Sequence, residues 1–91
     1  MCDLKYNECS KFMKYEWKPR KPVSNEDKLK LYGLYKQINE GNCTCERPWG
    51  WEIEKMAKYD AWKSNFNLTK DAAQMKYIEI SNILINKYGN K

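Results

Sequence analysis

Apolar residues recur along this chain at helical spacing in four separate runs. In the first, Tyr6, Cys9, Met13 and Trp17 stand three, four and four residues apart. That spacing puts them on one face of a helix from Leu4 to about Trp17, with Ser10, Phe12 and Lys14 beside the stripe. Lys18-Pro19-Arg20-Lys21-Pro22 ends this helix, because proline withdraws a backbone donor and its ring clashes with the preceding turn. Ser24-Asn25-Glu26-Asp27 opens the second: Ser24 can cap, and the acids face the positive end of the helix dipole. This helix is predicted to reach about Ile38, carrying Leu29, Tyr32, Leu34, Tyr35 and Lys36, and to stop at Asn39-Glu40-Gly41-Asn42, where Gly41 suits a left-handed position. Residues 42–50 read as a loop, closed by Arg47-Pro48. Trp49 and Trp51, flanking Gly50, are expected to cover a small core. A third helix is predicted from Glu52 to about Asn65, with Met56, Tyr59, Trp62 and Phe66 on one stripe and Ile53, Ala57 and Ala61 on the next. Lys55 and Lys58 share a neighbouring face. Thr69 caps a fourth, reaching Lys87 or Tyr88, whose main stripe is Ala73, Tyr77, Ile80, Leu84 and Tyr88, with Ile78 and Ile83 beside it. Four helices and no convincing strand predict an all-α, single-domain helical bundle over residues 1–91.

Composition narrows what such a bundle does. Charged residues make up 32% and hydrophobic ones 42%, the balance of a globular protein. No apolar run approaches the ~20 residues that cross a bilayer. Met1-Cys2-Asp3-Leu4-Lys5 is polar where a secretory signal needs an apolar core, so a cytoplasmic protein is expected. Asn42-Cys43-Thr44 and Asn67-Leu68-Thr69 match the glycosylation sequon, which has no use in that compartment. Cys2, Cys9, Cys43 and Cys45 lack zinc-site spacing and are expected as free thiols, with Cys9 packed as a small hydrophobe. The chain has no histidine, which excludes Ser-His-Asp and Cys-His catalysis and any His-containing metal site. With no glycine-rich phosphate loop either, the chain reads as a binder and not an enzyme. A net charge of +5 admits anionic partners, but the basic residues are interleaved with twelve acids, which argues against a nucleic-acid track.

The stretch Leu31-Tyr32-Gly33-Leu34-Tyr35-Lys36-Gln37 carries the most distinctive chemistry. In a helix Tyr32, Tyr35 and Lys36 sit at i, i+3 and i+4 and share a face. Rings that stack, hydroxyls that donate and an ammonium suit an anionic ligand with a flat ring. Two half-buried packing tyrosines beside a surface lysine would look the same. A small protein-interaction module that takes acidic partners on this face is the competing function.

Leu31 to Gln37 is followed by Gly41 with Glu46-Arg47-Pro48, by Ala57-Lys58-Tyr59-Asp60-Ala61-Trp62, by Asp71-Ala72-Ala73 and Tyr77-Ile78, and by Lys87-Tyr88-Gly89. In that order and spacing the segments resemble the acyl-CoA-binding protein family, from about Leu31 to Gly89. The resemblance implies an up-down-down-up four-helix bundle that holds a long-chain acyl-CoA in a surface bowl and needs no cofactor or metal. It implies that Tyr32, Lys36 and Lys58 engage the adenosine 3′-phosphate, that Tyr35 packs on adenine, and that Tyr77 lies on the ribose and phosphate side. Lys14 adds a cation from the first helix. Cys9, Met13 and Leu29 are expected to wall the acyl chain. Three positions depart from the family pattern. Glu54 replaces a basic residue, for which Lys55 can stand in; Trp49 replaces the glycine after Arg-Pro; Tyr59 replaces the first tryptophan of Trp-Asp-Ala-Trp. The implied role is a monomeric intracellular carrier and buffer of acyl-CoA esters, with no nucleic-acid partner and at most transient membrane contact.

Overall fold

Sequence-local signals start and stop the helices where capping chemistry allows. The computed structural model describes the backbone of residues 2–91 and side chains from residue 5 onward. Met1 and the side chains of Cys2, Asp3 and Leu4 lie outside that description. Among the described residues the elements are α1 (Cys2–Lys11), continued by a π-helical turn at Phe12–Glu16, then α2 (Asn25–Glu40), α3 (Ile53–Lys63) and α4 (Lys70–Tyr88). The Ser24 hydroxyl accepts from the Asp27 amide at 3.2 Å and Thr69 from the Ala72 amide at 3.1 Å, each a cap worth about 1 kcal/mol. Gly41 (φ 77) and Gly89 (φ 75) close α2 and α4 in conformations that a side chain would strain. None of the helices is long and apolar enough to cross a membrane.

Two boundaries differ from the periodicity. The first helix is not one α-helix to Trp17: the Trp17 amide reaches back to the Phe12 carbonyl at 2.7 Å, the five-residue spacing of a π turn. A three-and-four pattern cannot show that inserted residue. The third helix ends at Lys63, where the Ser64 hydroxyl turns back onto the Ala61 carbonyl at 2.7 Å and Asn67 adopts a left-handed φ of 73.

Cross-helix contacts fix the topology. Tyr6 meets Tyr77 edge-on at 5.2 Å and Trp17 meets Tyr88 at 6.3 Å, so α1 and α4 run parallel. Lys58 lies against Tyr32 and Lys36 against Trp62, so α2 and α3 are parallel as well. Asp27 near the start of α2 bonds Tyr88 at the end of α4, which makes those two antiparallel. The result is up-down-down-up. Parallel α2 and α3 require residues 41–52 to travel back the length of α2, about 24 Å for its 16 residues. Asn42 and Asn67 anchor that return: the Asn42 amide oxygen accepts from Gln37 Nε2 at 2.9 Å and from the Asn67 amide at 2.7 Å. The two sequon asparagines are therefore engaged in the fold itself.

The core sits between α1, α2 and α4, where Tyr6, Leu34, Ile38, Ala73 and Tyr77 pack with Cys9, Met13 and Leu31 at the margin. Leu84 and Tyr88 are buried further along α4. Helix α3 has no buried residue and leans on α2. Several expected core positions are consequently wet: Ile53, Phe66 and Ile83 are exposed, and Trp49 and Trp51 cover nothing. Gln37, Gln74 and Ser81 are buried instead; the Ser81 hydroxyl donates to the Tyr77 carbonyl at 2.7 Å and Gln37 Nε2 donates to Asn42 Oδ1 and the Leu68 carbonyl, while the Oε1 atoms of Gln37 and Gln74 have no partner among the described residues. Cys9, Cys43 and Cys45 are free thiols, Cys43 fully buried.

Two contacts yield predictions. A Cβ at Gly33 would fall well inside van der Waals contact distance of the Ala61 carbonyl oxygen and 3.0 Å from the Asn65 side-chain nitrogen. Gly33→Ala should therefore pry α3 from α2 and cost about 1–3 kcal/mol in urea unfolding, despite alanine's better helix propensity. The buried Asp27 carboxylate accepts from Tyr88 Oη at 2.5 Å and Lys87 Nζ at 3.1 Å. These bonds, Tyr88 foremost, hold its pKa down to about 2 against an ordinary 3.8. A depressed carboxylate stabilises the fold above its unfolded pKa and loses that contribution as pH falls through the folded one. Thermal stability should fall between about pH 4 and pH 2, and Asp27→Asn should remove that part of the acid sensitivity while lowering stability at neutral pH.

Candidate functional site

Three faces of α2 are occupied differently: one by the core, one by α3, and one left open toward the π turn. The open face forms a groove of about 500 Å³, lined by Tyr32, Tyr35 and Leu31 from α2, Met13 and Lys14 from the π turn, and Tyr77 from α4. The π turn matters here because it carries Met13 and Lys14 to the groove's wall. Beside it lies a second groove of about 560 Å³ between the first turns of α2 and α3, lined by Leu29, Ile53, Ala57, Glu54 and Lys58. Lys28 lines both, so the two adjoin.

Charge is set at the junction. The Lys58 ammonium lies 5.6 Å from the centre of the Tyr32 ring, joining a side chain of the second groove to one of the first. Lys14 Nζ sits 3.5 Å above the Tyr35 ring. Each is a cation held on an aromatic face, and Lys14 has no carboxylate partner among the described residues. Lys58 also pairs with Glu54 at 3.3 Å, a half-exposed i,i+4 bridge. Lys36 is turned aside: its ammonium bonds Glu40, which raises its pKa, and lies 4.7 Å over Trp62. Lys55 is exposed and pairs with Glu52 at 3.4 Å. The floor is apolar and fixed. Tyr77 is only 3% exposed, and burial drives its phenol well above the ordinary range, as it raises that of Tyr6.

The structure thus brings Lys14, Tyr32, Tyr35, Tyr77 and Met13 into one groove, with Lys58 and Leu29 in the next. Lys36 and Lys55 stand at the rim on other partners. Cys9 packs on the core margin and lines neither groove, so Cys9, Met13 and Leu29 do not form one wall. Lys28 is not singled out by the sequence patterns, and Ile53 and Ala57 are marked by them only as a packing stripe and, for Ala57, as part of a motif. Lys28 is four residues before Tyr32 and seven before Tyr35, a helical spacing that marks the same face.

The sequence profile described as Acyl CoA binding protein matches residues 3–81 of this chain. The chain belongs to the acyl-CoA-binding protein family. It is 42% identical over 68 residues to "Acyl-CoA-binding protein" of Dictyostelium discoideum, covering 75% of this chain and 81% of that one. The crystal structure of Oryza sativa Acyl-CoA-Binding Protein 2 superposes with a TM-score of 0.83 at 33% identity, over 96% of this chain and 93% of that chain. A 61-residue match at 43% identity to "Enoyl-CoA delta isomerase 2" of Homo sapiens covers 67% of this chain but 16% of that protein. An acyl-CoA-binding fold with an aromatic, basic groove next to one that carries an apolar strip of Leu29, Ile53 and Ala57 supports acyl-CoA binding here.

The phenols of Tyr6 and Tyr77, raised by burial, should ionise late. Folding favours their protonated form, a stabilisation present below the ordinary phenol pKa and lost as pH rises past it. An alkaline absorbance titration should show late components beyond those of the accessible tyrosines, and Tyr77→Phe should delete one of them.

Proposed function

We propose that this protein binds long-chain acyl-CoA esters and serves as their carrier and buffer, with no catalytic step of its own. The observation that carries the reading is the junction at Tyr32: a cationic, aromatic groove on one side and, on the other, a groove with an apolar strip of Leu29, Ile53 and Ala57, bridged by Lys58. A ligand with a phosphorylated, flat-ringed head and a long aliphatic tail has matching halves. In this reading Tyr32 and Lys58 hold the adenosine 3′-phosphate, and Lys36 joins them by turning from its half-exposed pairing with Glu40. Tyr35 stacks on adenine once Lys14 moves from its ring to a phosphate. Tyr77 borders the ribose. The tail runs along Leu29, Ile53 and Ala57, gaining about 0.8 kcal/mol per buried methylene while the groove lasts. Glu54 occupies the place of a cation and draws on Lys58, so head-group affinity is tempered.

Calorimetric titration with palmitoyl-CoA, CoA and palmitate tests the proposal. The ester should bind far more tightly than either part, since one association entropy is lost for both contacts. A protein-interaction module that takes acidic partners on the same face would ignore all three, and equal affinity for palmitate and palmitoyl-CoA would remove the head-group anchor.

Two substitutions locate the anchor. Lys58→Ala should weaken palmitoyl-CoA binding roughly 10- to 100-fold, the equivalent of one charge-assisted hydrogen bond, and should reduce discrimination between CoA and 3′-dephospho-CoA. Glu54→Gln should do the opposite, tightening binding by up to about fivefold as a competing surface pair is removed. Discrimination undiminished in Lys58→Ala would place the phosphate elsewhere.

A further inference from the structure

The four tryptophans divide into two pairs. Trp17 and Trp62 are half-buried, and their indole N–H groups donate at 2.8 Å to the Gly89 and Gly41 carbonyls. Trp49 and Trp51 are 84% and 91% exposed, and their indoles donate to no group among the described residues. Nothing in the fold accounts for two large rings held in water. Ile53, the first residue of α3, is 75% exposed beside them.

The backbone holds these three residues together at a tip. Gly50 turns the chain with a φ of 84. Glu52, at φ −79 and ψ 62, is the centre of an inverse γ-turn closed by the Ile53 amide on the Trp51 carbonyl at 2.8 Å. The cations around the tip are all paired: Arg47 with Asp60 at 2.9 Å, Lys55 with Glu52, and Lys58 with Glu54, while the exposed Glu46 has no ion-pair partner among the described residues. The tip is therefore apolar and without an unpaired cation of its own, while the whole chain carries +5.

We infer that the Trp49-Gly50-Trp51 tip, with Ile53 behind it, is a docking wedge for the headgroup–acyl boundary of an anionic bilayer. Tryptophan is the side chain suited to that layer, with a ring for the acyl edge and an N–H for the headgroups. Exposed apolar tips of this kind mark interaction surfaces. Nucleic acid is disfavoured, because bases stacked on these rings would need unpaired cations alongside, and here the cations are paired. The net positive charge brings the protein to an anionic surface, and the wedge holds it there reversibly, as expected of a small inserted area. Ile53 also lines the apolar groove of α2 and α3, so docking would set that groove's mouth at the membrane edge. Trp49 and Trp51 line neither groove, so their docking does not depend on the ligand reading.

The test is co-sedimentation with phosphatidylcholine vesicles with and without phosphatidylserine, read together with tryptophan emission. The wild-type chain should sediment with the phosphatidylserine vesicles, shift its emission to the blue, and be quenched by lipids brominated near the headgroup. Trp49→Ala/Trp51→Ala should lower the partition coefficient at least about tenfold and abolish the shift. Palmitoyl-CoA binding in vesicle-free solution should be unchanged in that variant, which separates failure of the wedge from failure of the ligand site. Both residues are unpacked, so helicity should be retained; quenching of the wild-type chain needs no variant at all. Three results would each overturn the inference: no sedimentation of the wild type, equal sedimentation of the double variant, or self-association lost in the double variant without any vesicle binding.

Discussion

One carboxylate ties the bundle together. Asp27 sits in the first turn of α2, buried, and receives the Tyr88 hydroxyl and the Lys87 ammonium from the last turn of α4. The Tyr88 hydroxyl in turn accepts from the Ser24 amide, so the cap of α2 and the end of α4 share one hydrogen-bonded ring. Its position sets the antiparallel register of the two central helices. The tail after Tyr88 then pairs with Lys18 and Arg20, fastening the proline segment that leads into α2. A buried charge is retained only where its partners are complete, and this one is.

With α2 and α4 in register, α1 packs beside α4 through Tyr6 and Tyr77, and the remaining faces of α2 are left to α3 and to the open groove. Helix α3 approaches closely because Gly33 offers no side chain to Ala61. Having no buried residue, α3 contributes more to the grooves than to the core. Core and groove are thus drawn from different faces of α2, and Tyr77 of α4 belongs plainly to both, buried at 3% exposure yet lining the groove. The cations are arranged on aromatic faces rather than in a patch, which favours a flat, charged head over an extended polyanion.

By itself the sequence determined what is local. Ser24 and Thr69 mark helix starts because a side-chain oxygen three residues before an amide is enough to cap it, and Gly41 marks an end because glycine takes a positive φ without strain. The i, i+3, i+4 spacing of Tyr32, Tyr35 and Lys36 put them on one helix, and the ordered motifs from Leu31 to Gly89 carried the family. Tertiary structure decided which of those side chains meet. Lys36 left Tyr32 for Glu40 and Trp62, because α3 lies parallel on that side. Periodicity also treated every apolar stripe alike, whereas α3 leans on one neighbour, so Ile53 and Phe66 stayed wet. Trp49 and Trp51 reversed their expected role for the same reason: whether an aromatic covers a core depends on what stands opposite it, and that is a property of packing that no local spacing encodes.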